Sequence, residues 1–481
     1  MSLWLKSSSS PLWPSVAIVA ILARLISLPP RIQNKEMEPM TFSLSHNQVS
    51  VPQRAPRRTS LGQVAIWGLP TAALLAVLAH FSILAAGAIV GLLFVAIAFW
   101  QPRIALMIIF AIIPLQKSIP GLPIHLSISE LCLAILFPIA LLKTAQMGKP
   151  IRMGPVVWPV ILYLFLCLLS SLPHFKPHDP AVTAYVQMLV YLVFGIMIGA
   201  SFPGDTEDLV FALYGAVGMA TVFAIMVLAT HFHYPHAQKN AWGATFGSTF
   251  VMGLEFWLAA TLRKDTRLAR RLFWALLLIG AALFLTLSRG AWLETVAGSF
   301  VLLALRKRFK RMLRVGIVVL PLAAILFFAL PHKQQKYAFD FKSTARNIDA
   351  RYKSIDYAWA QFKAHPIFGV GVGLRKKMDA TDLFMVTLAE SGIQGVLAFL
   401  LIHVVVLATA WRLHKKLDPR DPRFSLVAIG AALVVCRFTH GMVDQYWCRG
   451  PLIWAWCAVG MMMAVYFELG RKSRAALPEV K

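Results

Sequence analysis

The sequence predicts an all-α fold, a polytopic transmembrane helical bundle of about 12–14 spans with one long helical outer loop. Three observations carry this reading. Of 481 residues, 58% are hydrophobic and only 14% charged, whereas soluble domains run near half apolar and a quarter charged. Apolar runs near ~20 residues, the length that crosses a bilayer, recur from Leu61 to Tyr466. Lys and Arg number 47 against 21 Asp and Glu, a formal +26, and they gather between the runs, as in loops that fix membrane orientation. A soluble enzyme, a disordered chain and a secreted disulfide scaffold are excluded. The charge balance belongs to membrane orientation, so no nucleic-acid partner is expected. Cys132, Cys167, Cys436, Cys448 and Cys457 form no C-x-x-C pair. They read as small packing residues, and no metal site or cofactor is expected.

The elements follow in order. Residues 1–60 read as a polar tail. Leu12 to Pro29 is apolar but short and holds Arg24, without the basic start and cleavage site of a signal peptide. Met37 and Met40 are alternative starts. Residues 61–330 read as a transmembrane bundle, 331–380 as a basic periplasmic loop, 381–470 as C-terminal transmembrane helices and 471–481 as a cytoplasmic tail. Spans are expected near 61–80, 82–100, 104–119, 127–143, 155–172, 183–201, 208–230, 242–262, 272–287, 291–305, 313–330, 381–410, 424–440 and 451–468.

This order puts the basic clusters Arg263–Arg271, Arg306–Arg314, Arg412–Arg423 and Arg471–Arg474 on one face, with Arg54–Arg58 and Lys149–Arg152. That face is expected to be cytoplasmic. The opposite face carries mostly short turns and the segment 331–380. This segment holds ten Lys and Arg against four Asp, a net +6. A basic loop on the translocated side has two readings: contact with anionic headgroups, or a site for a phosphorylated substrate.

Within this frame several residues invite chemistry. In Leu285-Thr-Leu-Ser-Arg-Gly-Ala-Trp292, Gly290 permits a sharp turn between two spans and holds Arg289 at the membrane interface. Arg289 is either a snorkelling cation or an anion site. Tyr352, Ile355, Trp359 and Phe362 recur at helical spacing, predicting an amphipathic helix against the membrane with Arg351 and Lys353 on its cationic side. His365-Pro-Ile-Phe-Gly-Val-Gly-Val-Gly373 is a tight turn. It brings the backbone at Gly371 and Gly373, with Arg375 beyond, close to neighbours or to a lipid phosphate. Asp382 and Glu390 fall on one helical face. Asp382 is either a first-turn helix charge or a functional carboxylate. Arg437, His440 and Asp444 cluster at a span end as an ion-pair network, a proton path or a substrate contact.

These pieces, in this order, resemble the O-antigen ligase and O-antigen polymerase superfamily. The matching stretches are Thr286–Trp292, Arg351–Trp359, His365–Gly373 and Leu388–Gly392, with Gly243–Gly247 similar to a Gly-Thr-Phe element and Leu126–Glu130 to an early outer loop. The resemblance covers roughly 240–410, and the rest of the chain only by hydropathy. It implies a GT-C-like membrane glycosyltransferase of the bacterial inner membrane, working in surface polysaccharide biosynthesis. The implied donor is an undecaprenyl-diphosphate-linked glycan, and the acceptor is a lipid or glycan hydroxyl. Basic residues would hold the diphosphate, without nucleotide sugar or metal. By this carry-over Arg289 matches the family's functional Arg, and Arg351 the basic position ahead of the Trp helix. Two positions depart from the pattern. Thr381 and Asp382 stand where ligases carry His-Asn, which leaves Asp382 as the candidate base. Lys239 is the nearest cation to the missing Arg before Gly-Thr-Phe. A transporter or flippase of a lipid-linked or anionic solute, and a non-catalytic scaffold of an envelope polysaccharide system, are the rival readings.

Overall fold

The structure is a computed structural model and describes residues 83–115, 126–174, 180–231, 242–307, 328, 332, 341–374, 382–444, 446–447 and 450–475. The spans expected near 61–80 and 313–330 lie outside the described residues, as do Lys239, Arg375 and Thr381. Two units divide the chain, Met1–Leu93 and Phe94–Lys481. All helices after the first belong to the second unit.

Among the described residues the fold is all α, with no strand. Its helices are α1 Ile83–Trp100, α2 Pro102–Ile112, α3 Ile128–Gln146, α4 Val157–Ser171, α5 Pro180–Ala200, α6 Thr206–His231, α7 Gly243–Leu262, α8 Thr266–Leu285, α9 Arg289–Leu305, α10 Phe341–Ala364, α11 Leu383–His414, α12 Pro422–Gly441 and α13 Pro451–Ala475. Seven of these, α3, α5, α6, α8, α11, α12 and α13, are long and apolar enough to cross a membrane. The strict criterion thus finds fewer spans among the described residues than the sequence suggests. α2 and α4 are apolar but have only 11 and 15 residues. α7 has the length but carries Thr245, Ser248, Thr249 and Glu255, all buried.

Helix ends follow from local chemistry. Ser127 and Glu130 close a capping box at the start of α3, each side chain engaging the other's backbone N–H. Asp265, Asp382 and Asp421 cap α8, α11 and α12 through their carboxylates. Two spans are irregular. α5 passes through a π-helical stretch, Val190–Gly195. α11 breaks at Gly392, whose φ of 67° and ψ of −171° only glycine adopts readily.

The helices of the second unit alternate in direction, as their end contacts show. One end gathers Ser127, Ser171, Ala181, Trp242, the Thr286–Ser288 turn, Asp382 and His440, and is called here the turn end. The other gathers Lys149–Arg152, Arg263, Arg306, Pro419 and Arg423. There Ser201 and Arg152 exchange hydrogen bonds, and Arg423 pairs with Asp421 and Glu468 (2.8 Å). Arg306, read in the sequence as one of a loop cluster, is instead buried. Its guanidinium forks onto Glu255 (Nε–Oε2 2.7 Å), donates to the Pro419 carbonyl (2.8 Å) and lies 4.6 Å over the Phe424 ring. A charge taken out of water needs such a matched partner.

Without a hydrophobic force between helices in lipid, close packing holds them together. α5 and α13 meet through Gly195, Gly199 and Gly460. A Cβ at Gly199 would strike the Cys457 carbonyl and lie 2.6 Å from the Met461 nitrogen.

Candidate active site

The site is built on the α8–α9 hairpin. Thr286 donates its hydroxyl to the Leu283 carbonyl at 2.7 Å, and Leu287 takes a left-handed φ of 50°. A β-carbon in that region is strained, and such strain concentrates at functional turns. Trp292 locks the hairpin: its indole N–H donates to the Leu283 carbonyl (3.2 Å), and its ring stacks on Phe284 at 5.6 Å. Arg289 is thereby the first residue of α9 and is exposed. A cation gains nothing from a helix N-terminus, so its position there comes from the turn, not from helix stability.

Glycines let three helix ends converge on this turn. A Cβ at Gly243 of α7 would lie 2.8 Å from the Ser288 β-carbon, and one at Gly290 would lie 3.4 Å from the His440 ring. The Gly-Thr-Phe helix, the Ser-Arg-Gly turn and the end of α12 are therefore in contact. A ring pair, Phe384 with Phe438 (5.7 Å), brings the start of α11 to the same place.

Beneath the turn lies a buried charge cluster. Glu294 receives Arg437 (Nη1–Oε2 3.2 Å) and His440 (Nδ1–Oε2 3.1 Å) on one oxygen. Its other oxygen, Oε1, faces Gly247, where any side chain would collide. Arg437 also donates to the Tyr446 carbonyl (3.4 Å), and His440 Nε2 lies 3.6 Å from Asp444, whose side chain is part-exposed. Sequence reasoning left Arg437 and His440 as an ion-pair network, a proton path or substrate contacts, and the geometry matches the first. The structure places both inside the protein, Arg437 with no exposed surface and already neutralised by Glu294. Glu294 was missed, although a lone carboxylate in the run 291–305 was a legible signal of a paired or functional group. Glu130 likewise acquires partners that spacing did not show, Gln187 (3.2 Å) and the Tyr191 hydroxyl.

The remaining candidates sit on α10, the turn after it and α11. Ser354 and Ala358 are the buried face of α10, and Ala358 packs with Leu374 and Ala389. Arg351 and Lys353 are exposed. The glycine turn does not offer its backbone to a ligand. Val370 and Gly371 donate to the carbonyls of Ala389 (2.8 Å) and Glu390 (3.0 Å), Val372 donates to the Ser171 hydroxyl (3.0 Å), and Gly373 donates to Glu390 Oε1 (2.8 Å). A phosphate cradle needs these N–H groups outward, and here they are engaged within the protein. Glu390 is thus the anchor of Gly373 and is buried, rather than facing substrate beside Asp382. Asp382 is half-buried, with Oδ1 accepting from the Met385 N–H at 2.9 Å. It caps the helix instead of lying in its first turn, close to the first-turn charge that one reading expected, and this leaves Oδ2 for a second role. Among the described residues no group of three His, Cys, Asp or Glu side chains is placed to hold a metal ion.

No curated protein matches the chain. A family model described as O-antigen ligase matches residues 274–400, which run from α8 through the Arg289 turn and α10 to the middle of α11. The match supports O-antigen ligase-like glycan transfer in surface polysaccharide biosynthesis by a multi-pass membrane protein. On that match, residues 274–400 are similar to the O-antigen ligase family, which supports the superfamily that the sequence motifs resemble.

Proposed function

We propose that the protein transfers or polymerises glycan from an undecaprenyl-diphosphate-linked donor onto an acceptor hydroxyl at the periplasmic face of the bacterial inner membrane. The observation that carries this reading is Arg289, an exposed cation fixed by a strained turn where three helix ends meet. The basic end of the bundle faces the cytoplasm, so the turn end faces the periplasm. The donor diphosphate binds at Arg289, with Arg351, Lys353, Lys239 and Arg375 of the same side as further cations. The acceptor oxygen attacks the anomeric carbon, the bond from that carbon to the diphosphate oxygen breaks, and the acceptor proton passes to Asp382 Oδ2. Negative charge develops on the departing diphosphate, where fixed cations stabilise the transition state. These cations make a metal unnecessary in the scheme, so a chelator leaves the rate unchanged.

The test uses purified protein in liposomes with a carrier-linked glycan and an acceptor. Arg289→Ala is expected to lower transfer by about 10²–10³-fold, the usual effect of removing one such donor. Arg289→Lys should retain part of the rate, because it keeps charge but loses the bidentate fork. Undiminished transfer by Arg289→Ala, or solute transport without a new glycosidic bond, overturns the proposal.

A further inference from the structure

We infer that the elbow Pro366–Phe368 is inserted into the bilayer, with Ile367 and Phe368 against lipid acyl chains at the boundary of the hydrocarbon core. The depth comes from α11. Its exposed apolar stripe begins at Ile393 (45% exposed), continues through Leu397, Leu401 and Val404, and ends at Trp411 (52%). From 393 to 411 the helix rises about 27 Å, close to the ~30 Å thickness of the hydrocarbon. Trp411, with the Lys415 ammonium 5.0 Å from its ring, has the character of an interfacial anchor. Ile393 then marks the opposite boundary.

The elbow is pinned at that level. The Ile393 N–H donates to the Pro366 carbonyl at 3.0 Å, and a Cβ on Gly392 would collide with the Ile367 carbonyl. Irregular backbone is tolerated at membrane depth only when its polar groups are satisfied within the protein. In the stretch that follows the elbow and ties it to α11, the N–H groups from Gly369 to Gly373 all are. Gly369 donates to the His365 carbonyl (2.9 Å), and the next four to α11 and Ser171, as described above. The side chains of Ile367 and Phe368 are 52% and 51% exposed, continuous with the stripe that starts at Ile393. The neighbouring exposed residues Lys363 and His365 mark the change to water. The glycine motif therefore fixes the elbow against α11 at this level, a role independent of the transfer reaction.

The full-length protein in lipid nanodiscs tests this by spin labelling. Nitroxides are placed at Ile367→Cys and Phe368→Cys, with Leu397→Cys as the lipid reference and Lys363→Cys as the water reference. The unsubstituted protein, labelled in parallel, gives the background of the native cysteines. Collision with oxygen and with a water-soluble nickel chelate is then measured. Labels at 367 and 368 are expected to match Leu397, rich in oxygen collisions and protected from nickel. Nickel access like that of Lys363 overturns the inference, and so does shielding from both probes, which would mean cover by protein or by a second copy.

Discussion

Replacing Glu294 by Gln keeps the side chain's shape and removes its charge. In the folded protein Glu294 and Arg437 both have 0% of their side-chain surface exposed, at 3.2 Å from each other. His440 approaches the same Glu294 oxygen at 3.1 Å. The substitution leaves the Arg437 guanidinium buried without its carboxylate, with the Tyr446 carbonyl at 3.4 Å as a weak neutral acceptor. Removing one partner of a buried pair costs about 3–5 kcal/mol. At ~1.4 kcal/mol per factor of ten, Glu294→Gln should lower the folded-to-unfolded ratio by a hundredfold or more. Removing both charges, as Glu294→Leu with Arg437→Met, leaves neither ion buried without the other and should cost clearly less than the two single changes added together. Equilibrium unfolding of the purified protein in mixed micelles, titrated with an ionic detergent, measures all four species of this double-mutant cycle. The reasoning fails if Glu294→Gln costs less than about 1 kcal/mol, or if the single changes simply add, since contacting groups should couple.

Two further outcomes are expected. Asp382→Asn preserves an equally good helix cap but cannot accept a proton, so stability should hold while transfer falls by about 10²–10⁴-fold; equal losses in Asp382→Asn and Asp382→Ala stability would show that the cap argument is wrong. Gly392→Ala should destabilise the protein by at least about 1–3 kcal/mol of backbone strain, and limited proteolysis should cut within 365–374, whereas Gly470→Ala, inside α13 with nothing within 4 Å of the new Cβ, should not destabilise and should gain up to about 1 kcal/mol of helix propensity.

Much of the fold was legible because hydropathy acts on whole segments. The spans expected near 208–230, 424–440 and 451–468 appear as α6, α12 and α13 within a few residues, except that α13 runs on to Ala475, and 242–262 appears as the helix α7. Asp382 was legible at a helix start, because a carboxylate there acts on N–H groups only a few residues on. The likeness to the O-antigen ligase family was legible too, through the order of short motifs from Thr286 to Gly392.

The break at Gly392 was not legible, because its cause is a carbonyl of Ile367 that lies far away in sequence. Nor were the burial of Arg306 and the partner of Arg437, because Glu255 and Glu294 lie 51 and 143 residues away from them. The glycine turn shows the difference most plainly. Its composition fitted a phosphate cradle, but only the fold sets where its N–H groups point, and they point at Glu390, Ser171 and the carbonyls of α11.

By itself, then, the sequence determined the all-α membrane class, the helix order, the likeness to the O-antigen ligase family and the exposed Arg289 turn, because these depend on local hydropathy, capping and turn chemistry. Tertiary structure alone decided which charges face the site and which neutralise each other inside it. A side chain's partner is chosen by proximity in space, and in a bundle of alternating helices that proximity is set by packing across the chain.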